Sequence, residues 1–351
     1  MTDEEWRGGL AEELDFVQSE RPDNPAMLES VNFWIFANDG SIAFPRVDVE
    51  SIGETSDHHN VQLNAAIADG RRLFDPQHQY ENHSPFGADG KPRVLGAGPL
   101  RMELVEPFRK WRLLYDGETV ETTIDGLLDE TVDLAVKEFD GLKRTPLKID
   151  LDLEMAAPCW VQDNSEEKIR HLVARAREDA GMMGIGWRLE QLFRGTGTYT
   201  LDGKTNDLDC IGLRIRRRSR RPLGGFRGHC WQSAIFPNGD GFGYCTYPPS
   251  EDGTTFNEGY VYRDGKFYPA VAKTIPWFCE KIAQDEDVTL ELESELGVTR
   301  IAARSAFQIF KHFTFGPGTF HFNQGGARYE WDGQNAYGMM ERSYYQPGGK
   351  D

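Results

Sequence analysis

The sequence predicts a mainly β fold of antiparallel strands. Asp39-Gly40, Asp116-Gly117, Asp202-Gly203, Asn238-Gly239, Asp264-Gly265 and Asp332-Gly333 interrupt segments rich in aromatic and β-branched residues, as hairpin turns needing positive φ do. Only one segment carries a clear helical pattern. Asn164 stands as its cap with Glu167 three residues on. Ile169, Leu172, Val173, Ala176 and Ala180 form an apolar stripe, and Gly181 is placed to end it.

In chain order, Thr2 to Val17 reads as a short acidic helix and the helix from Asn164 as the joint between two β halves. The expected division is 1–162, a connecting helix in 163–185, and 186–351. The strongest local pattern runs from Gly228 to Pro248. A two-residue Asn238-Gly239 loop would set Trp231 opposite Thr246 and Ser233 opposite Tyr244, with His229 on the same face. Asp264-Gly265 turns the next hairpin. On its first strand, Phe256, Glu258, Tyr260 and Tyr262 share one side by the period of two. These strands form a meander, and Gly348 to Asp351 reads as a frayed tail.

Composition narrows the function. The 351 residues carry a formal charge of −18, with 57 acidic against 39 basic groups. That field repels nucleic-acid backbones and anionic lipids. The acidic N-terminus and the lack of any apolar run near the roughly 18 residues of a membrane span point to a cytoplasmic protein without a membrane segment. Five cysteines, widely spaced and without a Cys-x-x-Cys pair, indicate neither a disulfide framework nor a zinc finger. Cys230 alternates away from His229, which argues against a Cys–His nucleophile. Asp57-His58-His59, His78 and His83 sit in polar loop sequence without metal-ligand spacing. Neither a metal nor a cofactor is expected, Gly195-Thr-Gly197 lacking the rest of a dinucleotide fingerprint. A homo-oligomer is compatible with the sequence.

Against this acidic background, Arg214 to Arg221 packs six arginines into eight residues. On a strand, Arg214, Arg216, Arg218 and Arg220 share a face, and crowded guanidinium groups require anions. Two sources compete: the chain's own carboxylates, or a ligand carboxylate, sulfate or phenolate held by Arg214 and Arg216.

Several blocks resemble the carotenoid-hydratase (hydroxyneurosporene synthase) and AttH-like group of double lipocalin-like proteins. They are Leu189-Glu-Gln-Leu-Phe-Arg-Gly-Thr-Gly-Thr-Tyr199, Ile211-Gly-Leu-Arg214, Gly228-His-Cys-Trp-Gln-Ser-Ala-Ile-Phe-Pro-Asn-Gly239, Tyr329-Glu-Trp-Asp-Gly333 and Gly338-Met-Met-Glu-Arg342. Glu29-Ser-Val-Asn-Phe-Trp34, Gly98-Pro-Leu-Arg-Met-Glu103 and Phe108-Arg-Lys-Trp111 extend the likeness to the N-terminal half. The resemblance implies two lipocalin-like barrel halves around a hydrophobic ligand, and cofactor-free hydration, dehydration or cyclisation of terpenoid, steroid-like or aromatic substrates. It also brings a His-x-Trp pair and a Tyr-x-Asp pair to His229, Trp231, Phe256 and Glu258, with phenylalanine replacing the tyrosine. Where relatives carry Asp-His-Ser-Trp-Gly, this chain reads Ile215-Arg-Arg-Arg-Ser219.

The expected catalytic residues are therefore Glu258, as a desolvated acid or base, and His229, its partner. Trp231, Arg214, Arg216, Tyr244, Phe256 and Tyr260 are the expected substrate contacts, Trp231 offering its π face to a developing cation. The competing function is a binding protein for a hydrophobic acid, which needs a cavity and arginine but no perturbed acid.

Overall fold

A computed structural model describes all residues except 56, 130–138, 140, 223–225, 316 and 348–351; the expected frayed tail lies outside the described residues. The fold is mainly β. One antiparallel sheet closes on itself through eight strands: Leu28–Ala37, Ile42–Ile52, His58–Ile67, Arg71–Phe74, Lys110–Thr123, Lys143–Met155, Ile185–Leu201 and Lys204–Arg220, which returns to the first. Gln79–Glu81, Val94–Ala97, Leu100–Glu106 and Trp160–Asp163 extend this sheet, and the strands from Gly228–Ile235 to Gln334–Gln346 form a second one. It also closes, because Gly297–Ala306 pairs with Gly318–Trp331.

Local chemistry explains the strands. Lys143–Met155 buries alternate residues from Thr145 to Met155 and exposes those between, the signature of a sheet with one dry face. Asp202-Gly203, Asp264-Gly265 and Asp332-Gly333 form two-residue hairpin loops with both φ values positive. Glycine adopts that conformation freely, and aspartate tolerates it better than most residues. Asp116-Gly117 is not a turn: it lies within Lys110–Thr123, opposite Lys148 and Leu147.

Three other expectations are corrected. The single helix from Asn164 is two pieces, Glu166–Ile169 and Ala174–Met183. Extended Val173 interrupts it, and Leu172 and Val173 face solvent. Gly181 is inside the second piece, which ends at Gly184 with φ 130°. Asn164 does not cap it; its backbone pairs with Gly186. The switch between sheets also falls later than expected. Ile185–Leu201 and Lys204–Arg220 complete the first barrel, so the crossing is the short stretch between Arg220 and Gly228. Near the N-terminus, only Asp3–Trp6 and a turn at Glu12–Leu14 are helical.

One apolar core fills the first barrel. Another runs between the barrels and into the second, with Trp34 edge-on to Trp231 at 6.3 Å between ring centres. Among the described residues no helix is long and apolar enough to cross a membrane.

Candidate functional site

The hairpin after Gly228 carries the first site residues, but in a register one step from the expected one. The loop closes with the Phe236 N–H on the Asp240 carbonyl at 2.8 Å, leaving three residues, not two, at the turn. Trp231 therefore faces Cys245, and Gln232 faces Tyr244. A one-residue slip sends a side chain to the opposite side of the sheet. Tyr244 consequently leaves the His229–Trp231 face and bonds Gln232 at 2.6 Å and Cys230 at 3.2 Å.

The arginine strand alternates as expected, with the opposite assignment of faces. Arg214 and Arg216 are fully buried in the first barrel. Arg214 pairs with Asp15 and meets Gln191 at 3.1 Å. Arg216 reaches Glu29 at 2.5 Å, and Arg218 shares that carboxylate at 2.8 Å. The chain's own anions thus satisfy the residues expected to clamp a ligand. The other face turns Arg217 toward the space between the barrels.

That space is a cavity of about 500 Å³ lined by His229, Trp231, Arg217, Lys311, Gln324 and Glu341, with aromatic rings and further polar groups, Arg46 and Asp75 among them, in the rest of its wall. A chain of hydrogen bonds runs along it. Lys311 Nζ donates to Asn64 Oδ1 at 2.8 Å, and Asn64 Nδ2 donates to Gln324 Oε1 at 3.2 Å. Gln324 Nε2 donates to Glu341 Oε2 at 2.7 Å, and Glu341 Oε1 lies 3.0 Å from His229 Nε2. The other ring nitrogen of His229 lies 2.7 Å from Ser343 Oγ, which also accepts the histidine's backbone N–H. An ionised Glu341 fixes the proton on Nε2, leaving Nδ1 to exchange with the serine hydroxyl.

Electrostatics distinguishes the two ends. Burial and the field of Arg46, opposed by Glu341, bring the Lys311 amine down to about 7. For Glu341, burial opposes ionisation, but the hydrogen bond and charge of His229, then Arg46 and Gln324, outweigh it and hold the carboxyl at about 2. Lys311 can therefore change protonation near neutral pH, while Glu341 stays an anion that orients His229.

His229 and Trp231 line the cavity; Glu258, Phe256, Tyr260, Tyr244, Arg214 and Arg216 do not. Glu258 accepts from Gln162 at 3.1 Å. Crowding by the surrounding protein raises its pKa, with Gln162 and Arg188 opposing, yet the side chain stays open to solvent, which limits the shift. Phe256 packs on Tyr247 and Tyr260 on Trp160, within the apolar core. Sequence reasoning missed Lys311, Gln324 and Glu341. The available signal was a carboxylate following Met339 and Met340 and a lysine following Phe310, both in apolar runs. Among the described residues no group of three His, Cys, Asp or Glu is arranged to hold a metal ion.

Comparison with solved structures places the architecture. CghA crystallised with Sch210972 is 14% identical, with a TM-score of 0.56 over 93% of this chain and 90% of that one. A second CghA structure gives 12% and 0.51 over 93% and 90%. An AttH-like protein from Nitrosomonas europaea gives 11% and 0.50 over 93% and 98%. At these identities the likeness is one of fold, which agrees with the AttH side of the sequence resemblance. No curated protein matches the chain. A family model does, over residues 13–345, so this two-barrel chain belongs to the family described as Domain of unknown function (DUF7064).

Proposed function

We propose that the protein is a cofactor-independent enzyme of the hydratase, lyase or isomerase type, moving protons on a hydrophobic substrate held between the barrels. The observation that carries the reading is the continuous chain from Lys311 through Asn64, Gln324 and Glu341 to His229, set in a cavity whose wall also carries many aromatic rings. Lys311, poised near neutrality, gives or takes the substrate proton. His229, held by Glu341 and Ser343, serves the second proton position. Trp231 offers an electron-rich face to positive charge developing on the substrate, as it already does to Arg188, 4.7 Å from its ring centre. Shared fold with CghA, crystallised with Sch210972, supports a ligand-holding cavity. Terpenoid, steroid-like and aromatic compounds, carotenoids included, are the substrate classes to screen.

The test is product detection by mass, for gain or loss of water or isomer formation, across such a panel. Turnover should fall at least about a hundredfold in Lys311→Met and His229→Gln, with binding of a fluorescent apolar probe kept within a few-fold. Turnover unchanged in both variants would remove the chain from the mechanism. One observation favours a second reading, a binding protein for hydrophobic acids: both His229 ring nitrogens are already engaged by protein groups. That reading predicts tight binding with no product from any member of the panel.

A further inference from the structure

Arg217 differs from every neighbouring arginine on its strand. Its side chain is 7% exposed, and its Nε and Nη1 have no hydrogen-bond partner among the described residues. No salt bridge reaches it there, while Arg214, Arg216, Arg218 and Arg220 each have one. Its neighbours make matters worse. Arg188 stands directly opposite on the adjacent strand, and the fields of Arg221, Arg188 and Arg46 repel it, with Glu50 the opposing attraction. Glu50 is one strand too far: Ser30 pairs with both residues and separates them. Arg188 has Glu190 at 2.7 Å, and Arg46 has Asp48 at 2.9 Å. Arg217 has no such carboxylate, and its side chain lines the cavity.

Burial first, and then these repelling fields, push the guanidinium pKa well below its ordinary value, but that ordinary value is so high that the group keeps its charge near neutral pH. A buried, unpaired cation is among the most costly groups a fold can hold, and a carboxylate meeting it in a two-pronged contact removes that cost. One wall of the cavity suits an apolar body: Phe226 packs on Tyr247 at 5.5 Å and on His229 at 5.7 Å, carrying aromatic surface toward the hydrogen-bonded chain. We infer that the cavity binds a hydrophobic carboxylic acid, with Arg217 holding the carboxylate and Arg221 adding its charge. The inference rests on the proposed ligand cavity and defines its substrate class: an amphiphilic monoanion, oriented with its apolar end toward Trp231 and His229.

The experiment uses a matched pair of probes, 1-pyrenebutyric acid and 1-pyrenebutanol, titrated into the full chain and followed by quenching of tryptophan fluorescence. The acid should bind about ten- to a hundredfold more tightly than the alcohol. Arg217→Met should remove that advantage and leave alcohol affinity within about threefold, because the apolar stem is kept. Arg217→Lys should restore part of it. His229→Gln should keep the acid preference, which separates anion binding from proton transfer. Equal affinity of acid and alcohol for the native protein overturns the inference while leaving the cavity reading intact, as does an equal loss of both in Arg217→Met. Failure of both probes to bind overturns the cavity reading and this inference together.

Discussion

The interior of the first barrel and the wall of the cavity meet on the same strand, Lys204–Arg220, and treat its arginines in opposite ways. Toward the barrel, Arg214, Arg216 and Arg218 converge on Asp15 and Glu29, with the Phe16 carbonyl accepting from two of them. Arg214 also lies over the Trp111 ring at 4.9 Å. Toward the cavity, Nε and Nη1 of Arg217 have no hydrogen-bond partner among the described residues, and Lys311 donates to the uncharged amide of Asn64. The difference teaches that an arginine cluster cannot be read from its charge alone. The first face is an internal clamp that closes the N-terminal segment over the barrel; the second is an unmet electrostatic demand.

The largest effect should come from breaking the matched face. Asp15→Ala leaves Arg214 buried without its anion and should lower unfolding free energy by about 3–5 kcal/mol, measured by urea denaturation. A loss below about 1 kcal/mol would dissolve the contrast.

Next is Lys311. Its folded pKa lies near 7 against an ordinary 10.5, so the unfolded chain binds the extra proton between those values. The lysine's penalty is complete below pH 7 and relieved as pH rises toward 10.5. The stability of the native protein relative to Lys311→Met should therefore climb through that window, and a flat difference would place the amine in water. Glu341 gives the same sign of pH dependence in a lower window, as a stabilising group and not a penalty. With its pKa held at about 2 against 4.5, its contribution should be present above about 4.5 and vanish as pH falls toward 2.

A smaller effect of opposite sign is expected at Arg217. Arg217→Met, without ligand, should raise stability by about 1 kcal/mol by removing an unpaired buried charge. Smallest of all, Glu258→Gln should change stability by less than about 0.5 kcal/mol, since its neighbour Gln162 can bond an amide and the side chain is exposed. Loss of probe binding in that variant would return Glu258 to the site.

Much of the fold was legible because alternation and Asp-Gly turns act over a few residues. The meander from Gly228 to Thr274 follows from them directly. What escaped were features decided by a single residue or by distant partners. A three-residue rather than two-residue loop at Pro237 to Gly239 moved Tyr244 to the other side of the sheet. The period of two correctly grouped Arg214 with Arg216, but only their contacts with Asp15 and Glu29, about two hundred positions away, decide which face is neutralised. Lys311, Gln324 and Glu341 lie on consecutive strands, and the Asp332-Gly333 hairpin itself sets Gln324 opposite Glu341; their meeting with Asn64 depends on docking of the two barrels and leaves no local pattern to read.

The hydrogen-bonded chain along the cavity has a consequence for how the molecule operates as a two-part device. Lys311 and Gln324 belong to the second barrel, but the residue joining them, Asn64, comes from the first. The relay is thus wired through a contact that neither barrel contains alone. A sub-ångström sliding of one barrel on the other would open the circuit at Asn64 while every strand stayed intact. The hydrogen-bonded chain from Lys311 to His229 is therefore continuous only with both barrels seated against each other.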